Sequence, residues 1–583
     1  MAKKNLKWWA VSLAVLFLLL QVACDLYLPT ITSELVDQGI MRQDMATVWH
    51  DGISMLIVAG IGLLAAAGNV YFASTQAMQV GEKLRRQIFH RVLRFSSKEF
   101  SHFGDSSLIT RSTNDIVQIQ NVMVQVLRMM LQSPIMLVAA CVLAYVREPR
   151  LTLVFLISLP ILAIIVALVM RFAVPLFKSI QKKTDRINLI FRESLTGVRV
   201  IRAFRQEKRE RNRFRQANED YTMTGIKAFT LVSFLLPVVT LILSLTNVSI
   251  ILFGSHLIAQ MTMQVGNLIA FMTYATQIMI SFMMLSMIFV FVPRASASAS
   301  RINAVLETPI SVADPSEDSR VEIDPQHPAT LQFDHVNFRY DGAERLALQD
   351  LNFTTHAGQT LAIIGGTGSG KSTLVNLIPR LFNVESGQIR VDGQAIDKLS
   401  QHDLHEMISI APQKAVLFSG TVRSNLQFGN DQATDEQMWQ ALKIAQADDF
   451  VQEAGGLEAI VEQNGSNFSG GQRQRLTIAR TIIKRASIYI FDDSFSALDF
   501  QTDAKLRQAL RQDPQIQQAV TVIVAQRIST VADADMIIVL DNGKVVGQGT
   551  HAELRAHNKT YQQIVDSQIR KGDEERATQT KKN

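Results

Sequence analysis

The sequence is poor in cysteine and in charge. Its 583 residues include only two cysteines, Cys24 and Cys141, and both lie in apolar stretches, so the sequence indicates neither a disulfide framework nor a cysteine zinc site. Charged residues make up 19% of the chain and apolar residues 48%, whereas soluble domains usually carry about 25% charge. The low charge also argues against a disordered or fibrous protein. Part of this chain is therefore expected to avoid water.

Long, predominantly apolar stretches without Asp, Glu, Lys or Arg lie in the first half of the chain. Crossing a bilayer as a helix takes roughly 20 apolar residues, and a buried soluble bundle explains runs of this length poorly. We therefore predict a membrane domain at 1–300, followed by a linker at 301–328. Its six helices are predicted at about 8–30, 52–81, 128–147, 151–174, 228–255 and 265–293.

Basic residues set the predicted orientation. The long loops 82–127 and 175–227 are rich in Lys and Arg, while the opposite side has only Arg42, Arg147 and Arg150. Because cytoplasmic loops carry the excess of Lys and Arg, both long loops and both termini are predicted to be cytoplasmic. The formal net charge of +6 then reflects topology, and no nucleic acid partner is expected.

A glycine-rich turn follows a predicted strand, Thr360–Ile364, in a second domain that we place at 329–570, ahead of a charged, flexible tail at 571–583. Because the turn also precedes a predicted helix, it is the complete P-loop pattern in its required context. Backbone amides of such a loop converge on phosphate, with Lys371 neutralising phosphate oxygens and the Ser372 hydroxyl binding Mg²⁺. The turn reads Gly365-Gly366-Thr367-Gly368-Ser369-Gly370-Lys371-Ser372.

Two further patterns are weak alone and stronger beside a P-loop. An apolar strand, Ile488–Phe491, ends at Asp492 and Asp493, and a carboxylate at such a strand end is what Mg²⁺-nucleotide binding needs. Upstream, Ser469-Gly470-Gly471-Gln472 opens a helix. Its hydroxyl and bare amides suit an anion, although an ordinary helix cap would have the same appearance.

The order of these motifs along the chain resembles that of ATP-binding cassette (ABC) transporters. It runs from the P-loop through Gln413, the Ser-Gly-Gly-Gln turn and the strand ending in Asp to Ser496–Asp499. Six spans ahead of one cassette resemble a bacterial half-transporter of the multidrug exporter type. The resemblance implies an α-helical six-span membrane domain of the ABC exporter type fused to an α/β P-loop nucleotide-binding domain. It also implies a multi-pass protein of the bacterial plasma membrane that hydrolyses ATP with Mg²⁺.

The resemblance further implies a role for each motif residue. Tyr340 would stack on adenine, and Gln413 would contact Mg²⁺ together with Ser372 and Asp492. Ser469, Gly470, Gly471 and Gln472 would contact ATP held by the other subunit, and Asp499 would connect the two sites across the dimer. The implied ATP-binding residues of this chain are Tyr340, Gly365, Gly366, Thr367, Gly368, Ser369, Gly370, Lys371, Ser372, Thr373 and Gln413.

Two catalytic positions depart from the pattern of the family. The family usually has Glu after the Mg²⁺-binding Asp and His as a switch residue, where this chain has Asp493 and Gln526. A shorter carboxylate misplaces the base, and a shift near 1 Å can cost about 100-fold in rate. Glutamine offers no imidazole charge or tautomers. Because the Ser-Gly-Gly-Gln turn is intact, we expect a heterodimer with a second, non-identical half-transporter that supplies the competent base.

The substrate is less constrained. Methionines between Met261 and Met287 could line an adaptable apolar cavity or simply pack against helices and lipid, and the sixth span carries no charge. Asp25 is expected near the outer interface, with a cavity-facing position as the alternative. The prediction is export of hydrophobic or amphipathic small molecules. The alternatives are a peptide, haem or lipid exporter, or a nucleotide-sensing regulatory subunit.

Overall fold

The computed structural model describes residues 6–286, 288–321 and 328–568. The chain divides into two units. A helical unit comprises Met1–Leu93 and Asp105–Glu307, and an α/β unit comprises Arg94–Gly104 and Thr308–Asn583. Part of the predicted linker, 322–327, and the predicted tail, 571–583, lie outside the described residues.

The helical unit contains long apolar helices. In the described part of the chain, six helical stretches are long and apolar enough to cross a membrane, which agrees with the predicted six-span fold class. Two short π-helical turns, Leu35–Ile40 and Val126–Met130, extend helices of the unit. The helices as far as residue 307, of which α3 belongs to the α/β unit, are α1 (Trp8–Glu34), α2 (Met45–Val92), α3 (Ser97–Phe103), α4 (Asp105–Ser112), α5 (Asn114–Gln125), α6 (Leu131–Arg147), α7 (Pro149–Thr196), α8 (Val198–Ala203), α9 (Glu207–Ser233), α10 (Leu235–Ala259), α11 (Val265–Ser286) and α12 (Ile288–Glu307).

Local sequence explains where the longest helices begin. The Asp44 carboxylate accepts a hydrogen bond from the Ala46 amide and caps α2, as short polar residues do at helix starts. Pro149 occupies the first position of α7, where its missing N–H costs nothing. These two helices continue well beyond the predicted spans at 52–81 and 151–174, so much of loops 82–127 and 175–227 is helical.

The start of the predicted linker differs from the structure. Helix α12 continues to Glu307, past the predicted boundary at residue 301. The physical reason is burial, because Ile302 and Val305 are fully shielded from solvent on one face of this last stretch. The alternating Ala and Ser residues before them therefore lie inside a helix.

Residues 94–104 were predicted to be part of the membrane domain, but they pack within the α/β unit. Ser96 and Glu99 form a capping box that starts α3. The buried Glu99 carboxylate also accepts a hydrogen bond from the Ser311 amide at 3.2 Å, and the Ser96 and Ser311 hydroxyls are 2.8 Å apart. Pairing with the segment after α12 thus holds this stretch in the second unit.

The α/β unit is built on two main sheets and a short two-stranded ladder. Its strands are β1 (Thr330–Phe338), β2 (Leu348–His356), β3 (Thr360–Gly365), β4 (Ser386–Val391), β5 (Gln394–Ala395), β6 (Ile408–Ala411), β7 (Gly420–Thr421), β8 (Ile460–Val461), β9 (Ile488–Asp492), β10 (Val520–Val524), β11 (Met536–Asp541) and β12 (Lys544–Gly549). Its helices after α12 are α13 (Lys371–Leu377), α14 (Gln401–Met407), α15 (Val422–Gln427), α16 (Asp435–Ile444), α17 (Asp448–Glu453), α18 (Gly470–Ile483), α19 (Phe500–Gln512), α20 (Ile528–Val531), α21 (His551–His557) and α22 (559–568).

The larger sheet has the strand order β12-β11-β3-β10-β9-β6. Five of its strands are parallel, and β12 runs antiparallel to β11 at one edge. Alternate side chains point to opposite faces, so Ile488 and Ile490 enter one apolar core while Tyr489 and Phe491 enter the other. The smaller sheet, β2-β1-β4-β5, is antiparallel. This is the predicted α/β class.

Candidate functional site

The predicted catalytic and phosphate-binding residues gather at one edge of the larger sheet. Strands β3, β10, β9 and β6 are adjacent and parallel, so their carboxyl ends open on the same side. The P-loop leaves β3 at Gly365, Asp493 follows β9, Gln526 follows β10, and Gln413 follows β6. Parallel pairing thus brings together residues that lie up to 161 positions apart (526 − 365).

The P-loop is open toward solvent. Gly368 and Gly370 have φ angles of 81° and 106°, a region in which a side chain is strained. A Cβ added at Gly366 or Gly368 would meet no atom within 4 Å, so that face of the loop has room for a ligand. The Lys371 ammonium donates to the Gly365 and Gly366 carbonyls at 2.8 and 2.7 Å and therefore lies against the loop.

A cavity of about 1000 Å³ adjoins the loop and is lined by Gly368, Gly370, Lys371, Ser372 and Thr373, with Tyr340 on its wall. The Tyr340 ring meets Phe338 and Phe382 edge to face, with centroids 4.9 and 5.5 Å away. Its hydroxyl is 2.9 Å from the Thr373 hydroxyl. Since the ring is 40% exposed, it is held in place and still has surface to offer a flat ligand.

The buried end of the site contains polar atoms that lack hydrogen-bond partners among the described residues. Asp492 is only 7% exposed, and among the described residues neither its Oδ1 nor the buried Ser369 hydroxyl has a hydrogen-bond partner. Burial, together with the neighbouring charge of Asp493, raises the pKa of Asp492 to about 6. The Ser372 hydroxyl lies within hydrogen-bonding reach of this carboxyl. A buried carboxylate oxygen beside a hydroxyl suits a hard divalent cation, so the residues present fit Mg²⁺.

The two departures from the family pattern contact each other. The Gln526 side-chain amide donates to the Asp493 carboxylate, Nε2 to Oδ2, at 2.9 Å. Burial raises the pKa of Asp493, while this hydrogen bond and the Lys371 charge oppose the rise. Burial likewise lowers the pKa of Lys371, against the pull of Asp493 and Asp492. The carboxylate at the position of the base is therefore engaged by a group that donates but has no charge of its own.

Gln568 is a residue of this site that the sequence analysis did not identify. Its side-chain amide donates to the Gln526 carbonyl at 2.6 Å and accepts from the Ile528 amide at 2.8 Å. The side chain therefore fastens the loop that carries Gln526 to α22. No local pattern marks Gln568, because its partners lie about 40 residues upstream.

The Ser-Gly-Gly-Gln turn forms the start of α18. The Ser469 hydroxyl accepts from the Gln472 amide at 3.3 Å, and the Gln472 side chain accepts from the Ser469 amide at 2.8 Å, which makes a capping box. A Cβ added at Gly470 would meet nothing within 4 Å. Within the described chain, the side-chain hydrogen bonds of Ser469 and Gln472 stay inside the turn, in which Ser469 and Gly470 are exposed and Gly471 and Gln472 are half-buried.

Asp499 also acts as a helix cap. Its carboxylate accepts from the Gln501 and Thr502 amides at 3.1 and 3.0 Å and starts α19. These hydrogen bonds lower its pKa. The predicted role of Asp499 across a dimer stays a prediction.

Comparison with known families gives matches in both halves of the chain. The ABC transporter transmembrane region matches residues 11–282, and the ABC transporter domain matches residues 348–496. The first match lies mainly in the helical unit, and the second lies in the α/β unit.

Full-length relatives have the same organisation. An uncharacterized ABC transporter ATP-binding protein of Mycobacterium tuberculosis (strain CDC 1551 / Oshkosh) is 42% identical over 566 residues, which cover 96% of each chain. The uncharacterized ABC transporter ATP-binding protein YfiB of Bacillus subtilis (strain 168) is 35% identical over 567 residues, which cover 97% of each chain. The solved structure of a bacterial Atm1-family ABC exporter with ATP bound matches with a TM-score of 0.80 at 26% identity, covering 96% of this chain and 99% of the other.

Proposed function

Because the chain belongs to the ATP-binding cassette transporters, which couple ATP hydrolysis to transport, we propose that it is one half of a heterodimeric exporter in a bacterial plasma membrane. In this pairing the chain binds ATP at a site with impaired hydrolysis and supplies Ser469–Gln472 to the site of its partner. The exported molecules are hydrophobic or amphipathic and small. The cassette and both termini are cytoplasmic.

The hydrogen bond between Gln526 and Asp493 carries this proposal. A general base has to reach the water that it activates, and the Asp493 side chain is one methylene shorter than the Glu of the family. Its Oδ2 is already engaged by the Gln526 amide. Since this amide cannot take up a proton as an imidazole can, neither residue replaces the missing pair. Slow hydrolysis at this site follows.

The nucleotide-holding parts of the site are complete by contrast. The P-loop amides and Lys371 would hold the phosphates of ATP, and the ring of Tyr340 would stack on adenine. Ser372, Gln413 and Asp492 would hold Mg²⁺, which when bound supplies positive charge beside the phosphate oxygens. The Oδ1 atom of Asp492, which has no hydrogen-bond partner in the part of the chain that the structure describes, supports that assignment. This chain is therefore suited to retain ATP.

The free energy for transport enters through differential binding. A closed cassette dimer that binds ATP more tightly than the open one is favoured when ATP is present. In the proposed dimer, Ser469 and the bare amides of Gly470 and Gly471 complete the site of the partner. Hydrolysis there reopens the dimer, while ATP held by this chain keeps the two cassettes associated.

Steady-state ATPase activity tests the proposal. The chain is reconstituted alone and with the half-transporter encoded beside it. We expect near-silence alone, robust turnover for the pair, and loss of that turnover when the corresponding Glu of the partner is changed to Gln. Rapid hydrolysis by the chain alone, abolished by Asp493→Asn, would instead establish a homodimeric exporter with aspartate as an adequate base.

Substrate movement is a separate readout. ATP-dependent uptake into inside-out vesicles that contain the pair is expected, and uptake should stop when the Glu of the partner is changed to Gln. ATP binding without any uptake of hydrophobic test compounds would favour a nucleotide-sensing subunit. Uptake restricted to a peptide, haem or lipid would keep the exporter and replace the cargo.

A further inference from the structure

The helical unit contains a cavity of about 390 Å³ between α1, α6 and α11. Sites for drug-sized ligands usually occupy about 300–1000 Å³, so its volume suits a small organic molecule. Asp25 lines the cavity, which agrees with the cavity-facing position given above as the alternative for this residue. The other polar side chains used below are Thr32, Ser133, Gln277 and Ser281.

Asp25 is the single ionisable group among the described residues that line this cavity. It lies within the apolar stretch Trp8–Ile40. A carboxylate in a membrane segment is costly and is normally retained beside a partner or along a substrate path. No basic side chain lines the cavity in the part of the chain that the structure describes. The Gln21 side chain hydrogen-bonds the Asp25 carboxyl but brings no charge, so a cationic ligand would supply the missing counter-charge.

A second acceptor lies on the same wall. The Gln277 side chain donates from Nε2 to the Asp25 carbonyl at 3.0 Å. Its Oε1 is buried and has no hydrogen-bond partner among the described residues. A buried acceptor without a partner costs free energy, and the partial negative charge of this oxygen favours a positive charge nearby. The Asp25 carboxylate and the Gln277 oxygen thus both favour a cation.

Apolar side chains complete the cavity. Leu28, Met136, Ile280 and Met284 line it beside the polar groups, and flexible thioethers adapt to ligands of different shape. Of the methionines between Met261 and Met287, Met284 lines the cavity, whereas Met279 is 1% exposed and packs in an apolar core with Leu162, Val166, Val239 and Ile242. Met287 lies outside the described residues. An inorganic cation would use several oxygen ligands and leave this apolar wall empty.

We propose that this cavity binds hydrophobic organic monocations, with Asp25 as the counter-ion and Gln277 as a neutral acceptor. The inference rests on the proposed export function, for which it names a substrate class. The Thr32, Ser133 and Ser281 hydroxyls add polarity without charge. The cavity therefore favours one positive charge over an anion of the same shape.

Equilibrium binding of tetraphenylphosphonium tests the proposal. The full chain is placed in lipid nanodiscs without nucleotide, and retention by empty nanodiscs is subtracted. Saturable binding is expected for the wild type. Asp25→Asn should weaken it about 10- to 100-fold, as the loss of one ion pair in a partly desolvated site predicts. Asp25→Glu, which keeps the charge, should bind within about fivefold of the wild type.

Two controls separate the cavity from general effects. Glu34→Gln removes a charge from an exposed position of the same helix and should leave binding unchanged. Tetraphenylborate has the same shape and the opposite charge, and it should bind Asp25→Asn no more weakly than it binds the wild type. Size-exclusion chromatography and retained ATP binding verify that each variant is folded.

Three results would overturn the proposal. They are the absence of saturable binding by folded wild type, equal binding by wild type and Asp25→Asn, and an equal loss in Glu34→Gln. Because no nucleotide is present, none of these results depends on heterodimer formation or hydrolysis. Conversely, silent ATPase activity of the pair would leave this binding measurement intact.

Discussion

Two regions of the α/β unit differ in how closely they keep the family pattern. One is the sheet edge that carries Asp493 and Gln526, and the other is the helix start that carries Ser469. At the sheet edge, Asp493 and Gln526 stand where the family usually has Glu and His, and the two side chains contact each other at 2.9 Å. At the start of α18, the complete Ser-Gly-Gly-Gln turn forms a capping box, and Ser469 and Gly470 are exposed. In a head-to-tail dimer these regions belong to different nucleotide sites. Selection can therefore relax one site while it maintains the other.

Restoring the family residues at the sheet edge should erase the difference. Asp493→Glu with Gln526→His is expected to raise hydrolysis by the chain alone about 100-fold, because a displacement near 1 Å is worth about that factor. Steady-state phosphate release measures it, with dimer formation verified by cross-linking. Each single change should recover much less, since residues in contact couple. Additive gains from the single changes would argue that the two positions act independently.

Weakening the other region should harm the pair. Ser469→Ala is expected to lower ATPase turnover of the heterodimer about 20-fold, in line with one lost hydrogen bond to a charged group. Thr434→Ala is the matched control, because Thr434 caps α16 with the same kind of capping box but is not part of the turn. Both variants lose a helix cap, worth about 1 kcal/mol. An equal loss of turnover in both would reduce the role of Ser469 to helix stability.

Loosening the loop that carries Gln526 should have a smaller effect, which hydrogen exchange can measure. Gln568→Leu removes two hydrogen bonds from the loop at residues 526–528, and hydrogen exchange there should speed up about tenfold, as a net loss near 1.4 kcal/mol implies. Gln562→Leu is the control, since this residue on the same helix bonds the carbonyls of Arg555 and Ala556. Unchanged exchange in Gln568→Leu would mean that other contacts hold the loop.

The smallest expected effect tests most directly whether the two nucleotide sites of the proposed heterodimer differ in activity. Asp493→Asn should leave steady-state turnover of the heterodimer within about twofold of the wild type, because a group that does not limit the rate can be removed without loss. Changing the corresponding Glu of the partner to Gln is the comparison and should nearly abolish turnover. A tenfold loss from Asp493→Asn would make this site an active participant.

Local patterns predicted the elements that local chemistry determines. Uncharged runs indicated six spans, and the P-loop residues Gly365–Ser372 carried their own context of strand and helix. Local patterns could not predict which residues that are far apart in the sequence lie in contact. The contact between Gln526 and Asp493, the fastening by Gln568 and the cavity position of Asp25 all depend on which strands and helices are neighbours. The linker boundary was misplaced because burial of Ile302 and Val305 extends a helix through residues that read as a polar connector.

The pairing of residues 94–104 with the segment after Thr308 affects how cassettes could be exchanged between related proteins. A cassette excised at Thr308 would leave behind a piece of its own unit, and the Ser311 amide would lose the Glu99 carboxylate. Recombination between relatives at that single junction would therefore combine two halves of one interface from different ancestors. Swaps that carry residues 94–104 together with the cassette would keep the interface matched, so this chain is better divided at three points than at one.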